Sequence, residues 1–167
     1  DRVGGDLVRD ASSGKVYAMI DGSRRWIPDP ITLGRLGLGS RLPNTVSASD
    51  IAKIPLGADL PPLTDGAVIR SSSGAVYRIV DGQRTWVPEG DANAVDAPDQ
   101  VIRTVSIALA NGAAFKGSDD RVYVVENGSR RWAQSADALR ARGVSWAAVH
   151  LVTDDYRDSL PLGVPLP

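Results

Sequence analysis

The sequence predicts a mainly β fold with short helices, arranged as a compact pseudo-three-fold domain of three hairpin-plus-helix repeats. Three observations carry that expectation. Val-Tyr recurs at Val16-Tyr17, Val76-Tyr77 and Val122-Tyr123, and a tryptophan follows each tyrosine nine residues on, at Trp26, Trp86 and Trp132, in a chain of 167 residues with only 4 Tyr and 4 Trp. An Asp-Gly or Asn-Gly pair lies between them each time, at Asp21-Gly22, Asp81-Gly82 and Asn127-Gly128. Such a pair flanked by β-branched and aromatic residues is the strongest short hairpin signal, because a type I′ turn needs positive φ at both central positions. One hairpin with a short helix buries too little surface to stand alone, so several units must stack or close around a common core.

In chain order, the single domain 1–167 divides into repeats 4–63, 64–111 and 112–167. Each opens with Gly and runs to a basic residue: Gly5 to Arg9, Gly66 to Arg70, Gly112 to Lys116. The hairpin follows a polar turn. A two-residue loop sets Tyr17 opposite Trp26, Tyr77 opposite Trp86 and Tyr123 opposite Trp132, with Met19, Ile79 and Val125 opposite Arg24, Arg84 and Arg130 on the same face. The other face carries Val16 with Ile27, Val76 with Val87 and Val122 with Ala133, so both faces are partly apolar. Asp29-Pro30 and Ser135 are N-cap signals for helices over 31–38 and 136–142, the second ended by Gly143. In unit two the segment 91–99 contains Pro98 and lacks a helical stripe, so a loop fits as well as a helix. The stretches 46–57 and 152–163 each predict a second capped helical turn stopped by proline. A β-trefoil-like closure is a candidate for the whole, although the Gln-x-Trp signature of ricin-type trefoils is replaced here by Arg-Arg-Trp or Arg-Thr-Trp.

Composition narrows the function. With 43% apolar and 23% charged residues and a formal net charge of −1, the chain lacks the field that draws a protein to nucleic acid or anionic lipid. Cysteine is absent, which excludes a disulfide scaffold, thiolate metal sites and a cysteine nucleophile. No apolar run approaches the roughly 20 residues of a membrane helix, so no membrane insertion is expected. The opening Asp1-Arg2-Val3-Gly4 reads as a mature or trimmed product, and the Pro-rich end 161–167 as a linker toward a neighbouring domain of a longer chain. The single histidine, His150, has alternating apolar neighbours and is read as a strand residue without catalytic duty. Asp119-Asp120 fits a turn and Asp154-Asp155 a helix first turn, where the macrodipole favours acids. No nucleotide or metal motif is present, so the expectation is no cofactor, no metal and no enzyme activity.

The recurring face of Tyr17, Arg24, Trp26, Tyr77, Arg84, Trp86, Tyr123, Arg130 and Trp132 admits two readings. Two flat rings beside a guanidinium can stack on a sugar and donate hydrogen bonds, and three copies would bind a polysaccharide or cell-wall glycan multivalently. Alternatively, Tyr and Trp are cross-strand core pairs with Arg as a cation-π lid, in a structural or protein-interaction module. The run Arg24-Arg25-Trp26-Ile27-Pro28-Asp29-Pro30 with Leu36-Gly37, Val46-Ser47, Asp50-Ile51 and Ile54-Pro55-Leu56-Gly57 resembles a tandem repeat of secreted bacterial surface and accessory proteins. That resemblance spans nearly the whole chain and implies a non-catalytic module, secreted or at the cell surface. Arginine supplies 16 of the 19 basic residues, which is compatible with a high-GC bacterial source.

Overall fold

The computed structural model describes residues 6–167, so the Gly5 head of unit one and the chain's opening residues lie outside the described residues. Unit one is an antiparallel meander of β1 (Leu7–Asp10), β2 (Val16–Ile20) and β3 (Ser23–Trp26), followed by α1 (Pro30–Arg35), β4 (Asn44–Val46) and α2 (Ala48–Ile51). Unit two repeats it as β5 (Val68–Arg70), β6 (Val76–Val80), β7 (Gln83–Trp86), β8 (Val95–Asp96) and α3 (Asp99–Thr104). Unit three comprises β9 (Ala114–Lys116), β10 (Val122–Glu126), β11 (Ser129–Ala133), α4 (Ala136–Arg140), a 3-10 turn at Trp146–Ala148, β12 (Val149–Leu151) and α5 (Asp154–Ser159). The three sheets share one strand order, β3-β2-β1-β4 and its counterparts, with the last strand parallel to the first.

The hairpin register is the one the turn chemistry demands. Tyr17 pairs with Trp26, Tyr77 with Trp86 and Tyr123 with Trp132. Asp21, Asp81 and Asn127 sit at φ 51°, 51° and 52°, and the glycine after each is also at positive φ, which defines type I′ geometry. The predicted caps form: Asp29 accepts from the Thr32 amide with Pro30 in the first turn, and Ser135 accepts from the Ala138 amide. Ser47 and Thr153 cap α2 and α5 in the same way. Unit two has no counterpart of α1; Asp91 holds the Asn93 amide in a turn there, and the helix α3 begins only after Pro98.

Each unit is an open four-stranded sheet, and none of the three is closed, so trefoil-type closure is not the architecture seen among the described residues. Both faces of the sheets are packed, as the two-sided apolar pattern implied. Units two and three turn their Tyr faces into the shared core, through Ile69, Tyr77 and Ile79, and through Phe115, Tyr123 and Val125. Unit one turns the opposite face inward, with Leu7, Ala18, Ile20 and Ile27 beside Leu36 and Leu38. Its Tyr17 packs instead with Val8 and Ile51 of its own unit. The repeats are alike internally, and their docking is not.

Candidate functional site

The repeated signature converges on one construction. In every unit the arginine two residues before Trp lies over the tyrosine ring: Arg24 over Tyr17 at 4.9 Å, Arg84 over Tyr77 at 4.7 Å, Arg130 over Tyr123 at 4.9 Å. Each Nε then donates to a carbonyl of the segment that returns from the second helix, Ile54 at 3.2 Å, Val105 at 2.8 Å and Leu160 at 3.0 Å. The arginine amide donates to the next carbonyl, Pro55, Ser106 or Pro161, at 2.8 Å in all three. Gly57 and Gly163 donate back to the Arg24 and Arg130 carbonyls, and a Cβ there would stand 3.2 to 3.3 Å from Arg25 and 3.3 Å from Arg131. In units one and three the Arg-x-Trp and Pro-Leu-Gly motifs are therefore two halves of one clasp, closing the sheet's outer edge with the chain that follows, and in unit two Val105 and Ser106 take the same place.

Burial sorts the nine predicted site residues. Tyr17, Tyr77 and Tyr123 are buried, and Arg84 is only 2% exposed. Trp26, Trp132, Arg24 and Arg130 are half-buried, while Trp86 is 37% exposed. Cations cover two of the Trp rings from outside the predicted face: Lys15 over Trp26 at 5.2 Å and Arg121 over Trp132 at 4.9 Å. The three Tyr/Arg/Trp sets stay within their own sheets. The structure brings unit two's set against unit three, where the Tyr77 hydroxyl and His150 Nδ1 are 2.6 Å apart and Trp86 meets His150 edge-on at 5.0 Å.

His150 lies on β12 and is 4% exposed. Burial, with Arg84 nearby as a lesser cause, pushes its imidazole down to about 4, so it is neutral at physiological pH. Burial likewise raises the Tyr77 phenol to about 12 and lowers Arg84 to about 10, which still leaves the guanidinium charged at neutral pH. Asp154 and Asp119 are engaged structurally: Asp154 accepts from the Ser118 amide and hydroxyl at 2.8 and 2.6 Å, and Arg157 reaches both carboxylates. Hydrogen bonds from Ser118 hold the Asp154 carboxyl below its ordinary range. Trp146, outside the repeat, is 56% exposed with Lys116 over its ring at 5.6 Å.

Two cavities flank Arg84 where units two and three meet. The larger, about 570 Å³, is walled by Trp86, Ile107, Leu109, Val144 and His150, and its second guanidinium, Arg142, is paired with Glu126 at 3.2 Å. The smaller, about 300 Å³, is bordered by Arg84, Arg103, Ser106, Thr153 and Tyr156. Sequence reading did not single out Arg103; lining up the second helices of the three units would have, because that position is acidic in unit three. Among the described residues no cluster of His, Cys, Asp or Glu could hold a metal ion, and no helix is long and apolar enough to cross a membrane.

No protein-family model matches the chain, and no curated protein matches it. Among solved structures, it is similar to a chain of the periplasmic assembly from the ESX-5 inner membrane complex, at 16% identity and a TM-score of 0.32, over 100% of this chain and 42% of that one. A chain of an intact ESX-5 inner membrane complex is similar at 13% identity and a TM-score of 0.29, over 98% of this chain and 52% of that one. The EccB3 dimer from the ESX-3 core complex is similar at 13% identity and a TM-score of 0.28, over 95% of this chain and 63% of that one. The chain thus spans 42 to 63% of the length of these structures.

Proposed function

We propose that the chain is a non-catalytic structural and protein-interaction module of a secreted or cell-surface bacterial protein, with its repeated tyrosines serving as core. The observation that carries this reading is the Tyr–Arg clasp, present in all three units with the tyrosine buried each time. In that clasp the guanidinium plane and its Nε are committed to the fold, which leaves the surfaces that differ between units to meet a partner. Leu56 and Leu162, at equivalent positions of the return segments, are 63% and 65% exposed, and Val164 is 74% exposed. These aliphatic groups offer a protein partner an apolar contact that a sugar would not need.

One observation favours glycan binding as a second reading, reduced to the tryptophans. Trp26 walls a cleft of about 230 Å³ together with Lys15, Pro28 and Leu33, an apolar plane beside a cation. Intrinsic tryptophan fluorescence, titrated with solubilised cell-wall polysaccharide, separates the two. The expected result is no saturable shift, while Arg24→Gln and Arg130→Gln each lower stability by about 1–3 kcal/mol in thermal melts. A saturable shift that disappears in Trp26→Ala or Trp132→Ala would place function on the rings and overturn the first reading.

A further inference from the structure

Comparing the clasp between units singles out unit two, where the arginine is almost fully buried and both terminal nitrogens lack a partner. The second helices align without a gap: Ala48, Asp99 and Asp154 open them, and the carbonyl six residues on, at Ile54, Val105 or Leu160, receives the clasp arginine. Four residues into that frame stand Ala52, Arg103 and Asp158. In unit three the acid does what its place suggests, lying 3.8 Å from the Arg130 guanidinium. In unit two the equivalent residue is a second arginine. Arg84 is the most buried of the clasp arginines, and its Nη1 and Nη2, together with Nε of Arg103, are buried without a hydrogen-bond partner.

All three unpartnered nitrogens belong to residues bordering the 300 Å³ cavity at the junction of units two and three. Among the described residues no carboxylate lines it. Asp154, whose carboxyl feels Arg103, is engaged with Ser118 and Arg157 and does not border the cavity. Arg103 gives Nη2 to the Gly117 carbonyl at 3.4 Å, and two like charges on residues bordering one cavity, with other donors unmet, raise the free energy of the folded state, because a buried donor without an acceptor forfeits its hydration and buried charges are normally paired. An oxyanion supplies what is missing: negative charge and several acceptor lone pairs in the fork geometry that guanidinium groups favour. Thr153 and Tyr156, from unit three, also border the cavity. The larger cavity is also bordered by Arg84, but its other arginine, Arg142, is already paired with Glu126, so only the smaller one brings two residues with unmet donors together.

We propose that the cavity between units two and three is an oxyanion-binding site in which Arg84 and Arg103 jointly hold one carboxylate or phosphate group. The volume lies at the small end of the range for ligand sites, which fits a phosphate or a short organic acid. This assignment is independent of whether the tryptophans meet a glycan.

The test uses the whole chain, with thermal melting and calorimetric titration against inorganic phosphate in one arm and malonate in the other, each against chloride at equal ionic strength. Saturable stabilisation by phosphate alone, malonate alone or both supports the site and distinguishes the two sources of the oxyanion. Arg103→Asp recreates in unit two the pair that unit three carries, and it should weaken binding by at least about tenfold. Arg103→Gln, which removes the charge without inserting an acid, should weaken it as well and guards against an effect of misfolding in the first variant. Absence of any response beyond chloride, or a response unchanged in both variants, overturns the proposal.

Discussion

A neutral imidazole at His150 has a consequence that reaches beyond its own ring. Its folded value of about 4 lies below the ordinary 6.5, so between these limits the unfolded chain binds the proton that the folded chain refuses. Stability is therefore full above pH 6.5 and declines as pH falls toward 4, by up to about 3 kcal/mol. Urea unfolding across that window should show the loss, and His150→Gln should flatten it. Replacing His150 with an amide also tests whether the contact with Tyr77 holds units two and three together. At this scale the sequence was legible where chemistry is local: the cross-strand partner of every repeated tyrosine follows from the spacing and the turn. It was silent on the surroundings of Arg84, since the same Arg-x-Trp run yields a half-buried arginine in units one and three and a fully buried one in unit two. Neighbouring units decide that, and no single-unit pattern records it.

Among the elements, the turn between the first two strands of each unit is held by two alternative devices. In units two and three, Ser72 and Ser118 give amide and hydroxyl to Asp99 and Asp154, the first residues of the second helix. Unit one has Ala11 and Ala48 at those places, and Asp10 holds its own turn through Ser12 and Ser13 instead. Acceptor and donor have been exchanged together. A double-mutant cycle on Ser118→Ala and Asp154→Asn should return a coupling of about 1–2 kcal/mol, read from chemical denaturation. At Gly117, a Cβ would run into the Asp154 carboxylate and come within 2.8 Å of Arg157, so Gly117→Ala should cost about 1–3 kcal/mol by overpacking. The capped helices α1 and α4 were readable from Asp29 and Ser135, and α2 and α5 as capped turns within 46–57 and 152–163. The strands β4 and β8 were not, because two or three residues paired in parallel with a strand some 26 or more residues earlier leave no local pattern. Helix α3 escaped notice because Pro98 precedes it and makes no side-chain cap.

For the whole molecule, the decisive fact is that one hydrophobic core draws on all three units although unit one presents its other face. The end of unit one is fixed where it passes into unit two: Thr32, fully buried, accepts from the Leu63 amide at 2.9 Å, and Arg35 bonds the Leu63 carbonyl within unit one and pairs across the boundary with Asp65 at 3.1 Å. Leu63 itself is fully buried in the shared core. Leu63→Ala should therefore destabilise the protein by about 2–5 kcal/mol, and fluorescence and circular dichroism should report one coincident transition rather than a separate melting of unit one. The clasps behave differently, for each arginine secures a segment of its own unit, 30 residues downstream in units one and three and 21 in unit two. A stretch of gene encoding one unit carries its own fastening wherever it is copied, so such units can be added or lost in tandem while only their outward faces must adapt to new neighbours.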